Sequence, residues 1–177
     1  DAEAVSLAIF FHDVIYNPRA GSPQNEKDSA DLFDTFVDCL PSLGEPPGFA
    51  KAQLAGKVRR WIVQTAHHKC TENDDLDCKL FMDFDMAVLG RPWPEYEKYS
   101  QQIRTEYSHV SKAIFCLARS RFLSSVAGST PAVHIYATDV FREARERQAR
   151  ANAGQEASIL MQQFTTCSPV AQLSARI

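Results

Sequence analysis

The sequence predicts an all-α protein, and three observations carry that reading. Glycine is scarce, at 7 of 177 residues against a usual ~7%, whereas sandwiches, barrels and dinucleotide-binding folds need glycine for their turns. The segments between turn signals repeat their apolar residues at spacings of 3 and 4, the period of a helix with one buried face. No stretch shows the period-2 alternation of a half-buried strand. The expected architecture is a compact bundle of about six to seven helices, one domain over residues 1–177, with residues 138–164 as a C-terminal helical arm.

Each helix has its own signals. The first is read over Ala2 to Tyr16, a largely apolar segment that ends at Asn17-Pro18. The second opens at Ser22-Pro23, an N-cap residue followed by proline at the first helical position, and runs through Ala30, Phe33 and Val37. The third spans about Phe49 to His68, with Leu54, Val58, Trp61, Ile62 and Thr65 on one face. The fourth is short, about Leu76 to Leu89. The fifth starts near Pro94 and carries Tyr96, Tyr99, Ile103 and Tyr107. The sixth covers about Val110 to Val126. Thr138 or Asp139 caps a last helix that reaches about Phe164.

Composition narrows the functional classes. The chain has a mass of 19.8 kDa, 45% apolar and 23% charged residues, a net charge of −3 and a pI near 6.0. These values exclude a disordered chain and a collagen. The longest apolar run, Ala4 to Phe11, is interrupted at Ser6, far from the ~20 residues of a spanning helix. The acidic balance argues against a nucleic-acid backbone as partner, and no phosphate-binding glycine loop is found. Five cysteines at 39, 70, 78, 116 and 167 make an odd, irregular set without a C-x-x-C pair. They read as free thiols of a cytoplasmic protein.

Chemistry is sought where a charge falls in an apolar stripe, because an unpaired buried carboxylate is expensive. On a helix the neighbours of residue i are i±3 and i±4. For Asp85 these are Phe81, Met82, Val88 and Leu89, all apolar. Asp85 is therefore a candidate metal ligand, or one half of a structural salt bridge. Asp83 has Lys79 as a neighbour and points ~200° away on the helix, so it reads as a surface or supporting acid. His12 and Asp13 lie in the apolar first helix beside Ile9, Phe10, Ile15 and Tyr16, as ligands or as the caps of a helix end. Thr65 and His68 share a face. Glu26, in the first turn of the second helix, serves either the helix dipole or a ligand, with small neighbours at Ser29 and Ala30. Cys70 and Cys78 invite a His–Cys zinc reading, against which stands the acidic stretch Thr71 to Asp77 between them.

In order, these residues resemble the HD superfamily of metal-dependent phosphohydrolases. The resemblance rests on AIFFHDVIY at Ala8 to Tyr16 and DFDMAVLG at Asp83 to Gly90. It is extended by Asn25-Glu26 with Ser29-Ala30, by Thr65 and His68, and by Tyr96, Tyr99, Ile103, Arg104, Glu106 and Tyr107. Ala149, Arg150, Asn152 and Glu156 complete the pattern, which covers nearly the whole chain. The ordered set is specific for the family and says little of the substrate.

The resemblance implies a helical bundle and a divalent ion (Mn, Co, Fe, Zn, Ni or Mg) held by His12, Asp13 and Asp85. It implies a small phosphorylated substrate such as a nucleotide, while charge and apolar run length point to neither nucleic acid nor membrane as partner. Such an ion acidifies coordinated water toward a pKa of ~7 and neutralises phosphoryl charge. Glu26 would then shuttle a proton, His68 would bind phosphate or a second metal, and Arg104 would clamp phosphate. A further histidine ligand is expected upstream of His12, where this chain has none, on a preceding helix of a longer parent protein. The alternative is a non-catalytic helical binding or regulatory module on the same scaffold.

Overall fold

The computed structural model describes residues 1–40, 49–128 and 133–167. The turns expected at Pro41 to Gly48 and before Pro131, and the side chain of Cys167, lie outside the described residues. Every regular element among the described residues is helical, as the sequence predicts. The chain divides into two compact units, Asp1–Asp85 and Met86–Ile177.

The first unit is built from α1 (Ala2–Phe11), α2 (Gln24–Cys39), α3 (Phe49–Gln64) and α4 (Leu76–Asp85). Its core joins Ala4, Ala8 and Phe11 of α1 to Ala30 and Phe33 of α2, Val58, Trp61 and Ile62 of α3, and Phe81 and Met82 of α4. Phe11 meets Phe33 edge-on at 5.2 Å, and Trp61 stacks on Phe81 at 6.2 Å.

Three boundaries differ from the sequence reading, each for a local reason. Helix α1 stops at Phe11 and not at Tyr16, because Ser29 of α2 captures the chain beyond it. The Ser29 hydroxyl accepts from Ile15 N at 3.1 Å and donates to Ile15 O at 3.2 Å. Helix α2 begins at Gln24 after a cis Ser22-Pro23 bond, and neither residue caps it through a side chain. Helix α3 ends at Gln64, and Thr65 to His68 form a turn. The buried Thr65 hydroxyl closes back on Ile62 O at 2.6 Å, a local bond that competes with helix continuation.

The second unit begins with a 3₁₀ turn, Met86–Gly90, followed by α5 (Trp93–Glu106) and α6 (Lys112–Ala127). The last helical segment runs through α7 (Asp139–Phe141), a π turn at Arg142–Glu146, and α8 (Arg147–Cys167). Along α6, α8 packs Ala153, Ala157 and Leu160 against Phe115, Cys116 and Leu123. Asn152, fully buried, donates from Nδ2 to the carbonyls of Leu89 at 2.7 Å and Arg91 at 2.8 Å. It thereby ties the 3₁₀ turn to α8.

Gly90 closes that turn where no side chain fits. A Cβ there would stand 2.7 Å from Arg145 Cβ and 2.8 Å from the Tyr136 hydroxyl. Gly90→Ala is therefore expected to destabilise the second unit by about 1–3 kcal/mol, the usual penalty of overpacking. Chemical denaturation checks this, and an unchanged midpoint would show that Arg145 and Tyr136 give way freely.

Candidate metal centre

Four of the sequence-predicted residues meet at one end of the first unit. His12 is the C-cap of α1, and its Nδ1 lies 2.8 Å from Ile9 O. A carbonyl can only accept, so Nδ1 carries the proton and Nε2 is left as the ligating nitrogen. Nε2 stands 3.4 Å from Asp13 Oδ2 and 3.4 Å from Asp85 Oδ1. The imidazole edge packs on Phe81 with centroids 5.8 Å apart, which sets the ring's orientation. Asp85 is the last residue of α4, and its second oxygen lies 2.9 Å from His68 Nε2.

His68 reaches that position from the turn after α3, with φ at 47°. This left-handed conformation is uncommon outside glycine, although histidine adopts it more readily than most residues. Periodicity placed His68 on a helix face with Thr65. The structure instead uses the backbone reversal to bring the ring to Asp85. Residues held in such conformations concentrate at functional sites.

The electrostatics follow from this packing. Burial alone would lower the pKa of His12, but the hydrogen bond and charge of Asp85, the charge of Asp13 and the Ile9 carbonyl raise it to about 9. Burial alone would raise that of Asp85, yet contact with His12 and His68 holds its carboxyl well below the usual carboxylate range. Asp13 is pushed up, first by desolvation and then by the charges of Asp85 and Glu26, against the pull of His12. Glu26 projects from the first turn of α2, and its Oε2 is buried without a hydrogen-bond partner. A buried oxygen left unpaired is costly, and a cation or a donor ligand supplies what it lacks. Imidazole and carboxylate are the donor types that suit a divalent ion, and His12, Asp13 and Asp85 supply them.

Other expectations fare differently. Asp13 is not in an apolar stripe, because α1 has already ended; its side chain is 60% exposed. Asp83 is not a surface acid. It is 1% exposed and belongs to the buried face of α4, while Asp85 keeps a 15% opening to solvent. Packing of α4 in the first unit's core, with Phe81 stacked on Trp61, is not registered by sequence neighbours alone. Arg104 stands in the second unit, where its guanidinium donates to Tyr107 O at 2.7 Å and Val110 O at 3.1 Å and lies over the Phe115 ring.

The stretch Thr71 to Asp77 does not keep Cys70 and Cys78 apart. It folds back, and Cys70, Asp74 and Cys78 bring their ligand atoms within 4.8 Å of one another. Among the described residues this is the group of three such donors with all ligand atoms that close; the His12 cluster is instead a chain of pairwise contacts. Cys39, Cys70 and Cys78 are free thiols, and no helix among the described residues is long and apolar enough to cross a membrane. No family model, no curated protein and no solved structure matches the chain.

Proposed function

We propose that this chain is a metal-dependent phosphohydrolase domain that holds a divalent cation with His12, Asp13 and Asp85 and acts on a nucleotide or another small phosphate ester. The observation behind the reading is the His12 ring. Its Nδ1 proton is held by the Ile9 carbonyl while Nε2 faces two carboxylates. The phosphate-ester class comes from the ordered resemblance of residues 8–156 to the HD superfamily. The free thiols of Cys39, Cys70 and Cys78 suit a cytoplasmic setting.

When bound, a divalent ion supplies an acidified water and neutralises charge on a phosphoryl oxygen. The chain's own groups do the rest. The Ile9 carbonyl fixes the His12 tautomer. Asp85 bridges His12 and His68 and holds both rings in place. His68, 37% exposed, offers a donor to a phosphoryl oxygen. Asp13 orients the attacking water from the solvent side. Glu26 passes a proton to the departing oxygen. Arg104 gives one N–H each to Tyr107 O and Val110 O, and this reading assigns it no step.

Protons compete with the cation for His12. A histidine must be neutral to ligate, and its pKa here is about 9, so the metal-free protein is protonated there at neutral pH. The apparent affinity for Mn²⁺ or Co²⁺ is expected to rise about tenfold per pH unit and to level near the His12 pKa. Calorimetric titration between neutral and alkaline pH measures this. A flat profile would remove His12 from the ligand set. Phosphate release from a panel of nucleotides with the bound metal tests the reaction itself. Tight binding without turnover makes the domain a helical binding module instead.

A further inference from the structure

The Cys70–Asp74–Cys78 group lies apart from the histidine–carboxylate cluster in donor chemistry, and it comes from one short stretch of chain. Cys70 ends the turn after α3, Asp74 sits in the following turn, and Cys78 occupies the first turn of α4, fully buried. Asp75 caps that turn, its Oδ1 accepting from Cys78 N at 2.9 Å, which fixes the Cys78 backbone.

The carboxylate of Asp74 is already oriented. Its Oδ2 accepts from Thr71 N at 2.7 Å, from the Thr71 hydroxyl at 2.9 Å and from Gln64 Nε2 at 3.1 Å. Its Oδ1 remains for another partner. The same Gln64 amide donates to Lys69 O at 2.8 Å, and its oxygen receives the Cys78 thiol at 3.8 Å. Outer hydrogen bonds of this kind are what hold metal ligands in place.

Spacing and charge agree with a cation. Zinc bonds of about 2.1–2.3 Å set tetrahedral ligands about 3.5–3.8 Å apart. The three donors lie within 4.8 Å of one another, so side-chain rotation closes the gap. Asp74 and Asp75 direct negative potential at Cys78, and Asp74 and Asp83 at Cys70. A surface hollow of about 720 Å³, lined by Gln64, Ala66, His67, Lys69, Thr71 and Asp74, opens on the Asp74 side of the group.

We propose that Cys70, Asp74 and Cys78 form a second metal site, specific for a thiolate-seeking divalent cation such as zinc, that pins the turn between α3 and α4. Two thiolates with one carboxylate favour Zn²⁺ over Mg²⁺ or Mn²⁺. Three protein ligands leave the fourth position to water. Both thiols give up their protons on binding.

The test uses the full chain, reduced and freed of metal, titrated with Co²⁺ and then with Zn²⁺. Cobalt bound by thiolate gives an intense near-ultraviolet sulfur-to-metal band that His and carboxylate ligands do not produce. One equivalent of this band is expected, bleached by one equivalent of Zn²⁺ and retained in Asp85→Asn. Cys70→Ser and Asp74→Asn change partly exposed positions, Cys70 at the edge of the core, and circular dichroism checks their fold. Each should weaken Co²⁺ binding at least tenfold, with the band reduced or lost in Cys70→Ser. A folded wild type without the band overturns the proposal. So does a band that survives Cys70→Ser unchanged, or a chain whose two thiols pair as a disulfide in air and bind no metal once reduced.

Discussion

Asp85→Asn is expected to abolish divalent-ion binding at the His12 cluster and to return the His12 pKa from about 9 toward its ordinary 6.5. The amide keeps the shape of the carboxylate, so the change removes charge with little change in volume. His12 then loses the partner that outweighs its desolvation, and His68 loses the oxygen 2.9 Å from its ring. The metal-free protein should also lose about 2 kcal/mol, the range of a hydrogen bond to a charged group.

That loss has a definite pH window. The folded pKa of His12 is raised, so its contribution is complete below 6.5 and fades as pH rises through about 9. That of Asp85 is depressed, so its contribution is present above the ordinary 3.8 and fades as acid protonates it. Between about pH 4 and 6.5 the wild type should exceed the variant by the full amount. Proton NMR of the His12 ring and urea titrations at several pH values measure both effects. A variant that still binds one ion with wild-type affinity removes Asp85 from the site.

Much of this cluster was legible because its signal is local. Four apolar neighbours around Asp85 marked it as an acid that needs a partner, and it has two imidazoles beside it. The order His12, Glu26, His68, Asp85 carried the rest. What was illegible depends on where helices stop and how they rotate. Extending α3 by periodicity hides the left-handed turn that aims His68. Pairing Asp83 with Lys79 across one turn ignores the packing that buries Asp83. The proximity of Cys70 and Cys78 required knowing that the acidic segment folds back on Asp74. The second unit carries a signal of the same local kind. Ala149, Asn152, Ala153, Glu156, Ala157 and Leu160 recur at spacings of 3 and 4, and all six are buried. Polar members hid a core stripe whose purpose is to satisfy buried groups.

Glu156 is the charged member of that stripe. Its Oε1 meets Arg119 Nε at 3.2 Å, and its Oε2 accepts from the buried Tyr96 hydroxyl. The side chains of Glu156 and Arg119 are 4% and 12% exposed. One Arg119 nitrogen, Nη2, already has no hydrogen-bond partner. Glu156→Ala leaves a guanidinium and a phenol buried and unpaired, and is expected to destabilise the unit by about 3–5 kcal/mol. Removing both charges together, as Glu156→Leu with Arg119→Met, should lose much less, because no orphaned charge remains. The two tryptophans make this measurable, since Trp61 belongs to the first unit and Trp93 to the second. In a Trp61→Phe background, urea unfolding followed through Trp93 should show the early transition in Glu156→Ala and its recovery in the double variant. If the single change shifts the Trp93 transition by less than about 0.5 kcal/mol, the scale of an ordinary surface substitution, then solvent reaches Arg119 and the pair is not a buried one.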